Sequence, residues 1–457
     1  MPRLALSEVL AARAPRLATR TAAYRAAIGA VLVCLTGLAL WNAHTISPDL
    51  GYDATNHQLY ARVLAEERRL PRGDEERAPA SRPPGFYAVA AAANAAGEWA
   101  ALDDPHKALQ YLNAVLVLVS ALLALVFVRE VCPGRRGLHV ASLAFFAFVP
   151  VVLKSAAMYY PGTLALALCT GGLALTARML RRRDFRLRLA AAVGVLLVAG
   201  ILVMLHALWV YLAVVCALVL AGVGLRERRR PALAAAAVVA GVALLPALPW
   251  FARQALTYGD PLWGYRFPLS AELPRDVETV FALHGPELVT EPWRPSYMNV
   301  VVPTAYSELW GDYFGVFAWN SAIGPTPPEP VATALRAQMV AGAVPTALAL
   351  AGWLALFALA VRRAAWSAHP ERLLVALLPA FGLLGFWYYV MYAASPDGDT
   401  VKATYLLTTA PAWAVAFGFA FERLAVGRVA PLLIAALALA AVADLRFLTL
   451  GSGGPPW

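Results

Sequence analysis

Polar gaps divide this chain into apolar blocks too broad for the one-sided stripe of a soluble helix. A helix that crosses a bilayer needs about 20 predominantly apolar residues, fewer where the bilayer is thin. By that measure the pattern predicts membrane spans near 26–45, 108–128, 137–153, 162–177, 188–204, 207–225, 232–250, 338–361, 373–394, 403–421 and 429–449. Residues 189–225 form a single apolar run of 37, flanked by arginines at both ends. With both flanks on one side, that run folds back as two short spans turning near Met204–His206. The expected fold class is an all-α polytopic membrane protein of about eleven transmembrane helices, with the N-terminus cytoplasmic and the C-terminus outside. It forms one transmembrane domain over residues 1–457.

Two long polar segments, 46–106 and 251–337, interrupt the blocks and are rich in Trp, Tyr, Pro and charge. The first holds two helical patterns, Asp53–Glu67 and Gly85–Ala101, expected to lie along the membrane surface as interfacial helices. The N-terminal arm (Arg3, Arg13, Arg16, Arg20, Arg25) has the charge of a signal peptide. A long apolar core and no small-residue cleavage site make it read as an anchor.

Composition agrees. Charged residues are 14% and hydrophobic ones 60%, whereas soluble domains carry about 25% charge. A soluble enzyme, a disordered scaffold and a secreted disulfide domain are excluded. Cys34, Cys169 and Cys216 lie in apolar blocks and Cys132 in an expected cytoplasmic loop, which does not suggest a disulfide framework. The net charge of +10 invites a nucleic-acid partner, but its distribution removes that reading. Arginines cluster in the short gaps, as in Arg181–Arg183 and Arg228–Arg230. Under the expected topology the cytoplasmic side carries a net +17 and the outer side −7, as the positive-inside rule requires. The two long segments, and any chemistry on them, then lie outside a plasma (bacterial inner) membrane.

The first outer segment reads Pro48-Asp49-Leu50-Gly51-Tyr52-Asp53-Ala54-Thr55-Asn56-His57-Gln58-Leu59-Tyr60, and on a helix Asp53, His57 and Tyr60 share a face. Arg82-Pro83-Pro84-Gly85-Phe86-Tyr87 follows. Later come Pro249-Trp250-Phe251-Ala252-Arg253-Gln254 with Tyr258-Gly259-Asp260-Pro261, then Leu309-Trp310-Gly311-Asp312-Tyr313-Phe314-Gly315, then Tyr405-Leu406-Leu407 running to Pro411. In this order the stretches resemble landmarks of the membrane-embedded GT-C glycosyltransferases, the superfamily of protein O-mannosyltransferases and lipid A aminoarabinose transferases. Gln254 stands where those proteins usually have Asn, and Thr404 where they have Arg before the tyrosine. The loop Lys154–Gly162 lacks the acid often found there.

The resemblance implies transfer of a sugar from a polyprenyl-phosphate carrier to an extracytoplasmic hydroxyl of a lipid, glycan or protein, with inversion at the anomeric carbon. Such chemistry uses a base for the acceptor and positive charge for the departing phosphate. Asp53 stands at the family's acidic position and is the first candidate base, with Asp49 its rival; His57 is the candidate to orient Asp53 or bind the acceptor, with polar packing as its alternative. A helix N-cap is the plain alternative for Asp53. Against 35 arginines the chain has three lysines, Lys107, Lys154 and Lys402. Lys402, Lys154, Arg82 and Arg253 are the candidate phosphate ligands, with interfacial snorkelling or pairing to loop acids as the alternative. Tyr60, Tyr87, Tyr258, Asp260, Trp310 and Tyr405 are candidate substrate contacts. Trp263, Tyr265, Trp293 and Trp319 are aromatic surfaces for a sugar or for the interface. Asp397-Gly398-Asp399 has the spacing of an acidic metal motif, but reads as a turn; no metal or other cofactor is expected. The competing readings are a flippase for lipid-linked sugars, which would show mid-span polar residues or broken repeats, and a non-catalytic subunit of the same fold.

Overall fold

A computed structural model describes residues 6–73, 80–203, 210–261, 277–294, 296–297, 300–313, 315, 327–362, 368–392 and 401–424. The regular elements among them are all helical. α1 (Leu6–Thr45) is followed by the short α2 (Ala54–Arg62), which runs into a π turn at Val63–Glu67, and then by α3 (Gly85–Trp99). α4 (Lys107–Val131), α5 (Arg136–Phe148), α6 (Pro150–Ala157), α7 (Gly162–Arg182), α8 (Leu187–Val203) and α9 (Val210–Arg226) come next. α10 (Arg230–Leu244) and α11 (Leu248–Tyr258) lead into the second long segment, which holds α12 (Val277–Phe281), α13 (Gly285–Thr290) and α14 (Val301–Trp310). α15 (Glu329–Val361), α16 (Glu371–Tyr392) and α17 (Ala410–Leu424) complete the bundle, with a 3₁₀ turn at Ala403–Thr409 opening α17.

Seven helical segments among the described residues are long and apolar enough to span: Thr21–Thr45, Lys107–Val131, Gly162–Arg182, Arg230–Tyr258, Glu329–Ala360, Glu371–Met391 and Ala403–Leu424. The block expected at 137–153 is the pair α5–α6, bent by 48°. Its bend has a local cause. Pro150 has no N–H to donate and holds the residue before it out of the helical region; Val149 is extended, with ψ 119. The 37-residue run divides into α8 and α9, both 17 residues long. Arg183 at the foot of α7 pairs with Glu227 after α9 at 2.7 Å, so both basic flanks of the run lie on one face, as a hairpin requires. Its turn at His206, and the span expected at 429–449, lie outside the described residues.

Burial ranks the spans. About four-fifths of the apolar window is enclosed in α7 and in Ala403–Leu424 (78% each), against 28% in Thr21–Thr45. The first two form the centre and α1 the periphery. α4 packs on α1 and α7, α8 on α7 and α10, and α17 lies between α5 and α15. Contact with α17 is close because glycines line it: a Cβ on Gly352 of α15 would overlap the Ala416 carbonyl, and one on Gly418 would meet Ser142 Oγ and the Leu138 carbonyl of α5. With lipid outside as apolar as the core, such backbone approach is what holds helices together.

Polar side chains of α4 anchor the first long segment. Gln110 and Asn113 are fully buried and donate to the carbonyls of Ala157 (2.6 Å) and Met158 (2.9 Å). Lys107 Nζ donates to the last carbonyls of α1, Ala43 at 3.0 Å and His44 at 3.1 Å, and to Ile46. A cation there satisfies the orphan acceptors of a helix C-terminus. The chain leaves α1 in a defined direction, towards Asp53.

Candidate active site at the end of the first span

Gly51 begins the turn into α2 with φ 132, and a Cβ there would press on Met158 Cγ at 3.0 Å. Asp53 follows with φ 55 and ψ 26, a left-handed conformation uncommon outside glycine but within the reach of Asp. It occupies the N-cap of α2, yet its side chain makes no capping bond. The carboxylate instead stands 4.0 Å from Lys402 Nζ, half exposed, while the Lys402 side chain is largely buried. Lys402 also lies over the Tyr52 ring, 4.4 Å from its centroid, a cation–π contact. A residue after the first span is thereby brought against one 349 positions later.

Burial raises the Asp53 carboxyl, but the charges of Lys402, His57 and Arg82 outweigh it and hold the group below its ordinary value. The carboxylate is ionised at neutral pH. His57 behaves oppositely. It is 2% exposed, and desolvation brings it down to about 3 despite the favourable charge of Asp53. Its Nδ1 lies 3.0 Å from the Tyr87 hydroxyl, and the rings of Phe86, Tyr87 and Tyr160 surround it. It is a neutral imidazole that braces α2 on α3. Tyr60 stacks on Tyr87 at 3.6 Å and donates to the Arg82 carbonyl at 3.1 Å. Both rings are buried, so they hold the Arg82–Tyr87 turn and present no open face. Gly85 permits the approach of α3 to α8, since a Cβ would meet the Leu202 carbonyl at 2.8 Å.

Around Asp53 the structure gathers Lys402, Arg82 and His57, with Tyr405 further out, beyond Arg82 and Tyr160. The charge of Arg82 acts on Asp53, His57, Tyr160 and Tyr405. Tyr405 is buried edge-on against Tyr389, and Thr404, fully buried, meets the Tyr160 hydroxyl at 3.4 Å. Asp49 is exposed and accepts from Gln58 Nε2 at 3.1 Å.

Other candidates sit apart in packing. Lys154 is fully buried, donating to the Glu308 carbonyl (3.0 Å) and Oε1 (3.1 Å), with Asp312 Oδ1 at 3.9 Å. Its ammonium faces acids and has no exposed surface for a donor phosphate. The Glu308 carboxyl is raised well above its ordinary value by burial and by Asp312, against the charge of Lys402. Trp310 is buried without an open face, donating from Nε1 to Thr346 at 2.8 Å, in a space that Gly342 leaves. Arg253 lies over Trp250 and donates to Gln254 Oε1. Gln254, in place of the usual Asn, donates to the Ser81 carbonyl at 3.2 Å and so fastens α11 to the residue before Arg82. Tyr258 accepts from the Gly73 N–H at 3.1 Å, and Asp260 is partly exposed beyond the end of α11. Trp293 is buried under the Arg336 guanidinium. Trp263, Tyr265, Trp319 and Asp397–Asp399 lie outside the described residues.

Sequence reasoning missed Tyr52, Tyr160 and the Glu308–Asp312 pair. Tyr52 was legible as the neighbour of Asp53; the others had no local signal. It also missed an apolar cavity of ≈ 220 Å³ between the α5–α6 bend and the α17 entry. Ala403, Leu406 and Leu407 line it, starting one residue after Lys402.

Fold and site together define a polytopic membrane protein that resembles the GT-C glycosyltransferases in its fold. The chain superposes on ArnT from Cupriavidus metallidurans bound to undecaprenyl phosphate with a TM-score of 0.52 and 13% identity, covering 93% of this chain and 76% of that one. It superposes on the Archaeoglobus fulgidus oligosaccharyltransferase AglB, in complex with an inhibitory peptide and a dolichol-phosphate, with a TM-score of 0.51 and 14% identity. That match covers 94% of this chain and 56% of AglB, so the chain spans little more than half of the archaeal enzyme. No protein-family model matches the sequence, and no curated protein does.

Proposed function

We propose that this protein is an integral-membrane glycosyltransferase that moves a sugar from a polyprenyl-phosphate carrier to an acceptor hydroxyl, with inversion, on the extracytoplasmic face. The observation that carries the reading is the pairing of a half-exposed, uncapped Asp53 with Lys402, one residue before an apolar cavity. The carboxylate, the cation and the apolar surface are the three parts that such a donor and its acceptor require.

In this reading the prenyl chain lies against the Ala403–Leu407 side of the cavity and the phosphate against Lys402 and Arg82. The acceptor oxygen approaches the anomeric carbon from the side of Asp53. As its bond to that carbon forms, its proton passes to Asp53, and the bond from the carbon to the phosphate oxygen breaks. The electron pair leaves with the phosphate, whose charge Lys402 and Arg82 stabilise. A base held below its ordinary pKa is weak, and the same two cations contribute to holding it there. A donor phosphate that engages them relaxes that hold, so Asp53 becomes a stronger base once the donor is seated.

The test is release of free polyprenyl phosphate from a panel of radiolabelled polyprenyl-phosphate sugars by the purified protein. Release from one donor supports the reading and names the sugar. Binding of a donor without release, with an acceptor extract present, overturns it in favour of a flippase or a non-catalytic subunit.

A further inference from the structure

The opposite face of the bundle carries a second site with different chemistry. α7 and α8 join through Arg183–Arg186, and α9 and α10 through Glu227–Arg229. Between these two turns lies an open cavity of ≈ 710 Å³, lined among others by Arg183, Asp184, Phe185, Arg186, Leu187 and Arg229. We propose that this cavity binds the phosphate headgroup of an anionic phospholipid, taken from the leaflet opposite Asp53.

The turns are built to keep the cavity open. Arg183 and Arg228 both have φ 53, which reverses the chain sharply at each. Arg183 Nη2 crosses to Glu227 at 2.7 Å and locks the turns together. Glu227 is shared with Arg229 at 3.0 Å, and Arg186 forks onto Asp184 at 2.7 and 2.5 Å. These two acids are the only ones in residues 178–230, against ten arginines. Arg178, Arg188, Arg226, Arg228 and Arg230 are exposed and have no ion-pair partner among the described residues. Glu130 of α4 takes Arg181 at 3.0 Å and Arg182 at 3.6 Å, which leaves a basic excess around the cavity, on residues outside its lining.

Topology alone asks for basic loops, not for a cavity between them. The surroundings point to a lipid and not to a soluble anion. Leu187, at the cavity wall, and Leu225, beside Arg226, are exposed apolar side chains within the arginine band. Arginines interleaved with bare leucines match a headgroup phosphate with acyl carbons directly beneath it. Basic pockets between spans recognise anionic headgroups in this way.

The test is binding of detergent-purified, delipidated protein to nanodiscs or added lipid, read by native mass spectrometry. The probes are phosphatidylglycerol, cardiolipin, phosphatidylcholine and, separately, inorganic phosphate. The expected result is saturable retention of an anionic lipid in preference to phosphatidylcholine. R186Q/R229Q removes two headgroup contacts and is expected to weaken that retention about thirtyfold. The charge-matched R136Q/R423Q, on the same face but outside the cavity, is expected to leave it within about threefold. R186K/R229K keeps the charge and guards against misfolding of the double variant; it is expected to retain binding. Equal retention of anionic lipid and phosphatidylcholine, an equal loss in R136Q/R423Q, or unchanged binding in R186Q/R229Q overturns the proposal. Displacement of the lipid by millimolar inorganic phosphate overturns the lipid assignment.

Discussion

Replacing Asp53 by Asn separates a catalytic carboxylate from a structural one, because the two roles differ greatly in size here. Two unit charges 4.0 Å apart attract by about 4 kcal/mol at an effective dielectric of 20. The Asp53 side chain is 53% exposed, and solvent screening brings such pairs down to about 1 kcal/mol or less. No capping bond is lost with the carboxylate. Asp53→Asn is therefore expected to shift the thermal midpoint in detergent by no more than about 2 °C. Loss of a general base lowers the rate by about 10²–10⁴-fold, equivalent to about 3–5 kcal/mol in the barrier. The assay is single-turnover release of polyprenyl phosphate beside a melting curve of the same preparation, with Asp49→Asn as comparison. A well-folded Asp53→Asn that keeps activity within tenfold refutes the assignment; if Asp49→Asn is the inactive variant, the base is Asp49. The pH profile adds a sign. Since the carboxyl of the free protein lies below its ordinary value, the acid limb of kcat/KM falls below about 3.9, and that of the donor-bound step lies higher. The stability Asp53 contributes is present above its unfolded pKa and is lost as pH drops through the folded one. Lys402→Met removes one cation that lowers it and moves the acid limb upward.

Lys154→Met leaves Glu308 and Asp312 buried without their ammonium, and breaking a buried pair from one side costs about 3–5 kcal/mol. Thermal melts are expected to show that loss, with a substantial part restored in Lys154→Met/Glu308→Gln; an unchanged melt for the single variant refutes the burial reading. His57 is neutral with a folded value of about 3, whereas it takes up a proton near 6.5 when unfolded. Its contribution is thus full above about 6.5 and declines as pH falls towards 3. In acid melts His57→Gln is expected to flatten this decline, and an identical pH slope in both proteins counts against it.

The seven spans among the described residues were legible because each is a local property: enough apolar residues in a row to cross a bilayer, with polar groups of the backbone satisfied inside the helix. That both flanks of 189–225 lie on one face was legible for a related reason, since arginines at both ends of one run cannot sit on opposite sides without violating the charge rule. Helices at Asp53–Glu67 and Gly85–Ala101 were readable from period alone, and α2 with its π turn and α3 occupy them. Asp53 stood out through the order of the motifs around it, not through anything within the motif.

Tertiary structure decided what each charge faces. Lys154 and Lys402 are alike in sequence, both lysines beside apolar blocks, yet one is sealed against Glu308 and the other meets Asp53. The partners are 154 and 349 residues away, and no periodicity carries such pairings. Trp310 and Tyr60 looked like surfaces for a sugar because aromatic residues serve both as binding platforms and as core filling. Only the neighbours distinguish the two uses, Thr346 and Gly342 for the one and Tyr87 for the other. Hydropathy is summed along the chain and so is written in it. The environment of a charge is set across the bundle, by which helices pack together, and packing is where the candidate site was made.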